Sequence, residues 1–231
     1  MQKEAIKTSE KVKGISVRII IVLAVLAVFI AALYFLTDEI VLEGETAFDD
    51  RVYTFFQRFQ TPGTTSLMLF FTFFGSIKFL LPAYLLLSCY FIFFKKNSIR
   101  SFNVAAIGIS SGILLKLIKN IFQRHRPPHP LIENVAGFSY PSGHSFSSFT
   151  LAGVIIYILW ESQVKTGWKY LGTVLLFMYA ALVASSRVYL HVHYASDVLA
   201  GFFLSFVWLT ICIFILKRIN KKGKVADEAT D

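Results

Sequence analysis

Three short stretches carry side chains able to act together on a charged substrate. KNIFQRHRP runs from Lys119 to Pro127, PSGH from Pro141 to His144, and SRVYLHVHYASD from Ser186 to Asp197. In the last of these His193 and Asp197 stand four residues apart, so at the start of a helix they share one face. A carboxylate so placed accepts a hydrogen bond from one ring nitrogen and leaves the other free as a nucleophile. Arg187 ends the preceding apolar run one tight loop away, and Lys119 and Arg126 add two further cations. Ser142, Gly143 and His144 open a helix, whose first turn presents free N–H groups and the positive end of the dipole. Serine caps such a start, proline suits the approach to it, and glycine lets backbone come close to a ligand. The set describes a pocket for a multiply charged anion with one nucleophilic and one acidic histidine, and phosphate fits it. Three cations supply the charge that a divalent metal brings to other phosphoryl transfers, so neither a metal nor a cofactor is expected.

The elements that must hold these stretches are apolar. Of the 231 residues 55% are hydrophobic and 16% charged, whereas a soluble domain carries about 25% charged residues. The reading is an all-α, polytopic membrane protein: one domain over residues 1–231, with six transmembrane helices in one bundle. The apolar runs are Ile19–Thr37, Phe59–Phe94 (interrupted by Lys78), Ser101–Leu115, Ser145–Trp160, Tyr170–Ser186 and Val198–Leu216. Backbone groups in lipid must be satisfied within the segment, and the alternation of a barrel is absent, so the runs are helices. The second is long for one span and short for two. A single tilted helix near Ser66–Phe94, preceded by an interfacial segment, is expected. The first run is too long for the core of a signal peptide and no cleavage site follows, so it reads as an uncleaved span. Cys89 and Cys212 lie in separate apolar runs and read as packing residues.

Charge orients the bundle. With six spans both termini share a side with the loops near 95–100 and 161–169. Most of the 23 lysines and arginines fall there: Lys3 to Arg18, Lys95, Lys96 and Arg100, Lys165 and Lys169, and Lys217 to Lys224. The positive-inside rule makes that side cytoplasmic and the three chemical stretches extracytoplasmic. Asp38, Glu39, Glu43, Glu45, Asp49 and Asp50 belong to the first outer loop. The net charge of +9 is then mostly topology, and no nucleic-acid partner is expected.

K-x6-RP, PSGH and SR-x5-H-x3-D, in this order and at span ends, resemble the three signature motifs of the type 2 phosphatidic acid phosphatase family. The resemblance covers nearly the whole chain and is strongest to bacterial members acting on phosphatidylglycerophosphate or undecaprenyl pyrophosphate. It implies a phosphatase of a bacterial cell membrane whose substrate partner is a membrane lipid phosphate. It further implies that His193 attacks phosphorus and forms a phosphohistidine, and that Asp197 orients it. His144 would protonate the leaving group and then activate water. Lys119, Arg126, Ser142, Gly143 and Arg187 would hold the phosphoryl oxygens. The first loop, about residues 37–65, is short, so the large extracytoplasmic insertion of some relatives is missing.

Other residues have plainer readings. His191 competes with His193, but only His193 stands four residues before Asp197. His125 and His129 read as solvated, Arg124 and Lys116 as snorkelling or surface cations, and Trp160, Trp168 and Trp208 as interface or packing residues. Lys78 is a charge inside an apolar run, which is costly and often functional. Two rival classes fit less well. A haem cytochrome would use His144 and His193 as axial ligands but leaves Asp197, Lys119 and Arg126 unexplained. A lipid transporter would need broken helices repeated in both halves, which the sequence lacks.

Overall fold

The computed structural model describes residues 2–38, 44, 46–133 and 135–228. Glu39, Glu43 and Glu45 of the first loop lie outside the described residues. Among those described there are eight helices and no strand: α1 (Gln2–Phe35), α2 (Ala47–Gln57), α3 (Pro62–Phe73), α4 (Ile77–Cys89, continued by a π turn at Tyr90–Phe94), α5 (Ser98–Phe122), α6 (Gly143–Glu161), α7 (Thr166–Tyr189) and α8 (Ala195–Glu228). Six segments are long and apolar enough to cross a membrane: Ile19–Asp38, Ile77–Phe94, Ser98–Phe122, Gly143–Glu161, Thr166–Tyr189 and Ala195–Asn220. The protein is an all-α, six-span membrane bundle.

α6 is the central helix, packed along α7 and α8, while α1 rests on α8 and α4 on α5. Burial follows this order. In the α6 span 39% is buried, against 6% in the Ile19–Asp38 span, so that span gives nearly all of its surface to lipid. Phe91, Val104, Ile107, Val154 and Cys212 join α4, α5, α6 and α8 in one core cluster. Cys212 packs as expected, whereas Cys89 is exposed on the apolar surface. Away from the chemical stretches, Glu161 ties the bundle together, 3.1 Å from Arg100 and 3.6 Å from Lys217.

The second apolar run does not form the single helix expected near Ser66–Phe94. It breaks at Phe74–Gly75–Ser76 into α3 and α4. α3 starts in a capping box, with the Thr61 and Thr64 side chains exchanging bonds with each other's backbone and Pro62 in the first turn. It then runs against α7. The Thr64 and Thr65 hydroxyls lie 2.7 and 3.0 Å from the Tyr189 hydroxyl. Tyr179 donates to the Phe74 carbonyl at 2.8 Å, taking an acceptor that a continuous helix would use. Ser76 is extended, with φ −81 and ψ 156. The apolar residues of the run show no period that marks such a break; contacts from α7 decide it.

The third span continues beyond the uncharged run that ends at Leu115, reaches Phe122 and stops at Gln123, left-handed with φ 46. Lys119 therefore stands on the last turn of a helix. The short α2 precedes α3 and lies on α7 and α8.

Candidate active site

Alternation of the spans puts the end of α5, the start of α6, the end of α7 and the start of α8 at one end of the bundle. The α7–α8 turn is tight: the N–H groups of Val192 and His193 both donate to the Arg187 carbonyl, at 3.2 and 3.3 Å. Asp197 reaches back to accept the Tyr194 N–H at 3.0 Å, so its carboxylate also caps α8. The same oxygen, Oδ2, lies 3.5 Å from His193 Nδ1. Ser139 donates to Oδ2 as well and stands 3.3 Å from Nδ1. With acceptors gathered at Nδ1, the ring carries its proton there and turns its Nε2 lone pair outward. His193 and Asp197 are both buried. Burial pushes the His193 pKa down to about 3, against the opposing pull of Asp197, so the ring is neutral at ordinary pH.

Cations gather at this end of the bundle. Arg126 Nη1 is 3.1 Å from His193 Nε2. The rest of its guanidinium donates to carbonyls only: Gly137 at 2.9 Å, Val192 at 2.7 Å and Ala136 at 3.1 Å. Lys119 Nζ donates to the carbonyls of Phe138 at 2.6 Å and Ser139 at 3.3 Å. Arg187, 4% exposed, bonds Thr72 through Nη1, and its buried Nε has no partner. None of the three is paired with a carboxylate among the described residues. They lie within Coulombic reach of one another and of His144, and Arg126 and Arg187 also of His193. A buried concentration of unneutralised positive charge is what a phosphoryl group would balance.

His144 stands at the second residue of α6. Ser142 caps the helix, its Oγ 3.4 Å from the Ser145 N–H, and its own N–H donates to the Asp197 carbonyl at 3.0 Å. The starts of α6 and α8 are thus bonded to each other. Gly201 makes this possible: a Cβ there would lie 2.9 Å from the Ser142 carbonyl oxygen. Gly75, at the α3–α4 break, packs onto His144, where a Cβ would lie 2.9 Å from the ring carbon Cδ2. Gly143 faces Leu115 and the Lys119 stem.

The structure therefore brings together Lys119, Arg126, Ser142, Gly143, His144, Arg187, His193 and Asp197. It also adds residues that the sequence reading missed. Arg124 is no snorkelling cation: it pairs with Asp197 at 2.6 Å and with Asp49 at 3.0 Å, its side chain 11% exposed. Burial lowers its pKa, but Asp197 and Asp49 more than reverse this and hold it raised. Ser139, Thr72 and Gly75 contact site residues from segments with no motif. The position of Arg124 two residues before Arg126 was the one sequence signal for any of them. His191 lies apart, stacked on Tyr53 with ring centroids 3.5 Å apart. His125, His129 and Lys116 are exposed, and Lys78 is exposed in the first turn of α4.

Comparison with known proteins agrees with this layout. The PAP2 superfamily profile matches residues 100–221, just over half the chain and all three motifs. The chain belongs to the PAP2 superfamily. It is 30% identical over 164 residues to the phosphatidylglycerophosphatase B of Bacillus subtilis (strain 168), covering 71% of this chain and 78% of that protein. It is 29% identical over 127 residues to dolichyldiphosphatase 1 of Dictyostelium discoideum, covering 50% and 56%. The crystal structure of a transmembrane PAP2 type phosphatidylglycerolphosphate phosphatase from Bacillus subtilis superposes with a TM-score of 0.75 at 25% identity, over 85% of this chain and 96% of that one. Aquifex aeolicus LpxE shares the fold, with a TM-score of 0.54 at 23% identity over 71% and 93%.

Proposed function

We propose that this protein is an integral-membrane phosphatase that removes the terminal phosphate of a lipid phosphate through a phosphohistidine on His193. The substrates proposed are phosphatidylglycerophosphate, giving phosphatidylglycerol, and undecaprenyl pyrophosphate, giving undecaprenyl phosphate. The observation that carries the reading is a neutral, buried His193 whose Nε2 meets Arg126, with Arg187 within Coulombic reach of the ring and Lys119 within reach of Arg126, three cations without carboxylate partners among the described residues. The similarity to a phosphatidylglycerophosphatase and to a dolichyldiphosphatase supports the two substrate types.

The steps follow from the groups present. The Nε2 lone pair of His193 attacks phosphorus, and the bond to the leaving oxygen breaks. His144, protonated, gives that oxygen its proton. Neutral His144 then takes a proton from water, which attacks phosphorus and breaks the P–N bond. Phosphate leaves, and both histidines return to their starting states. Lys119, Arg126, Arg187, the Ser142 hydroxyl and the Gly143 N–H hold the equatorial oxygens, so the chemistry runs without a metal. Asp197 keeps the ring of His193 in the productive tautomer.

A lipid rather than a soluble ester is favoured by a cavity of about 360 Å³ between α4, α5 and α6, lined by Ile77, Leu81, Tyr84, Gly108, Gly112 and Ser147. It begins two residues past Gly75 and one turn below His144. Glycines on α5 give it depth, and a Cβ at Gly112 would meet open space. The basic loops at the opposite end support cytoplasmic termini, in a bacterial cell membrane, and a site opening extracytoplasmically. The test is turnover of phosphatidylglycerophosphate, undecaprenyl pyrophosphate, phosphatidate and diacylglycerol pyrophosphate by purified protein, side by side with His193→Ala. Phosphate release that the variant abolishes is expected; release on none of the four refutes the reading.

A further inference from the structure

Asp197 is held from behind by an assembly that no motif contains. Asp49, on the first turn of α2, is 2% exposed. Its Oδ1 accepts the Ser196 N–H at 2.8 Å, and its Oδ2 accepts the Ser196 hydroxyl at 2.7 Å and Arg124 Nη2 at 3.0 Å. Arg124 Nη1 continues the chain, donating to Ser196 Oγ at 2.8 Å and to Asp197 Oδ1 at 2.6 Å. The guanidinium also lies 4.1 Å above the ring of Tyr194. The Arg124 carbonyl accepts the Ser139 N–H at 2.8 Å. One residue therefore anchors both groups that meet His193 Nδ1: Asp197 through its side chain and Ser139 through its backbone.

We infer that Asp49 and Arg124 are positioning residues for the reaction, an inference that rests on the phosphatase reading above. Neither touches the reacting atoms. Arg124 takes Oδ1 of Asp197 and so dedicates Oδ2 to His193, Ser139 and the Tyr194 N–H. Asp49 fixes Arg124 and, by accepting the Ser196 N–H, caps α8 from another helix at the turn that carries Asp197. Its charge also balances that of Arg124. Without it the guanidinium would draw on Asp197 alone and weaken the support that Asp197 gives to a positive charge on His193. The segment between α1 and α3, outside all three motifs, thereby sets the reactivity of the nucleophile.

A plain packing role predicts something different, and pH separates the two. The groups around His193 are Asp197 from α8, Arg187 from α7, His144 from α6, and Arg126 and Ser139 from the α5–α6 connection, with Lys119 of α5 beyond Arg126 and with Arg124 and Asp49 behind Asp197. Asp49→Asn removes a negative charge and lowers the acid limb of kcat/KM, which follows protonation of His193. Arg124→Gln removes a positive charge and raises it. Loosened packing admits water and raises both. The experiment measures kcat, KM and the acid limb on one soluble phosphate ester, whose own ionisation is common to all variants, with melting temperatures alongside. Each variant should lose about 10- to 100-fold in kcat, the scale on which partners behind an active residue act, with KM within about 3-fold. Only Arg124→Gln should raise the limb, and Asp49→Glu, which keeps the charge, should recover kcat. If Asp49→Asn does not fold, Asp49→Glu and Arg124→Lys carry the comparison, with kcat nearer wild type than Arg124→Gln and the limb unmoved. Limbs that rise together, unchanged kcat, or an Asp49→Glu no better than Asp49→Asn overturn the inference while the phosphatase reading stands. A wild-type protein without turnover removes both.

Discussion

Gly75→Ala should act on one proton transfer and leave the nucleophile alone. A Cβ at this position would lie 2.9 Å from His144 Cδ2, 3.1 Å from His144 Cβ and closer still to Val183 Cγ1. Ordinary carbon contacts start near 3.4 Å, so the imidazole must retreat by about half an ångström while Val183 blocks the other direction. Overpacking of this kind costs about 1–3 kcal/mol of stability. Its catalytic effect is set by geometry, since a shift of about 1 Å can cost 10²-fold. Half of that displacement, at a group worth about 10²–10⁴-fold as a general acid, should lower kcat on an alkyl phosphate by about 10-fold. A nitrophenolate leaves without a proton, so p-nitrophenyl phosphate turnover should fall by no more than about 2–3-fold by the same reasoning. The assay is kcat on both substrates for wild type, Gly75→Ala and the double variant Gly75→Ala/Val183→Ala. Shortening Val183 gives the new methyl room and should return most of the alkyl-ester rate. Equal losses on both substrates, or a double variant no better than the single one, would refute the assignment of His144 as the proton donor placed by the α3–α4 break.

The histidines should part company in the same pair of assays. His193→Ala should be inactive on both esters and trap no acid-labile phosphoenzyme, whereas His144→Ala should keep measurable turnover on the nitrophenyl ester. Activity should survive excess EDTA and be inhibited by vanadate, a mimic of five-coordinate phosphorus; a strict Mg²⁺ requirement would count against the proposed chemistry. Because burial holds His193 at about 3, lowering the pH from 7 to 5 should leave it neutral and able to attack. Its depressed pKa gives stability that is present above the unfolded value of about 6.5 and lost as pH falls toward 3, at about 1.4 kcal/mol per unit. A melting temperature flat from pH 7 to 4 would contradict that burial. A cysteine placed at Glu133, which is exposed at the site end, should react with an impermeant thiol reagent in intact cells; labelling only after lysis would invert the proposed orientation.

Much of this molecule is legible in the linear chain because the relevant physics is local. The i, i+4 spacing of His193 and Asp197 sets a shared face by helix geometry alone. Ser142-Gly143-His144 announces a helix start, and hydropathy locates six spans whose alternation sends all three stretches to one end. Lys119, Arg126 and Arg187 are legible because they occupy the fixed positions of K-x6-RP and SR-x5-H-x3-D, the motifs whose resemblance marks the family. Only tertiary contact decides the rest. The run near Ser66–Phe94 is apolar but for Lys78 and a few hydroxyl residues, and its hydropathy alone does not place a break at Gly75; the break exists because α7 takes the Phe74 carbonyl and His144 occupies the place of a side chain. Arg124 reads in sequence like any interfacial arginine, and Asp49 like any acid in an acidic loop. What makes them a pair is a contact 75 residues apart in the chain, and a second joins Asp49 to Ser196 across 147. Charge and polarity at a position tell that a residue needs a partner or water; which of the two it finds is settled when helices from distant parts of the chain close over it.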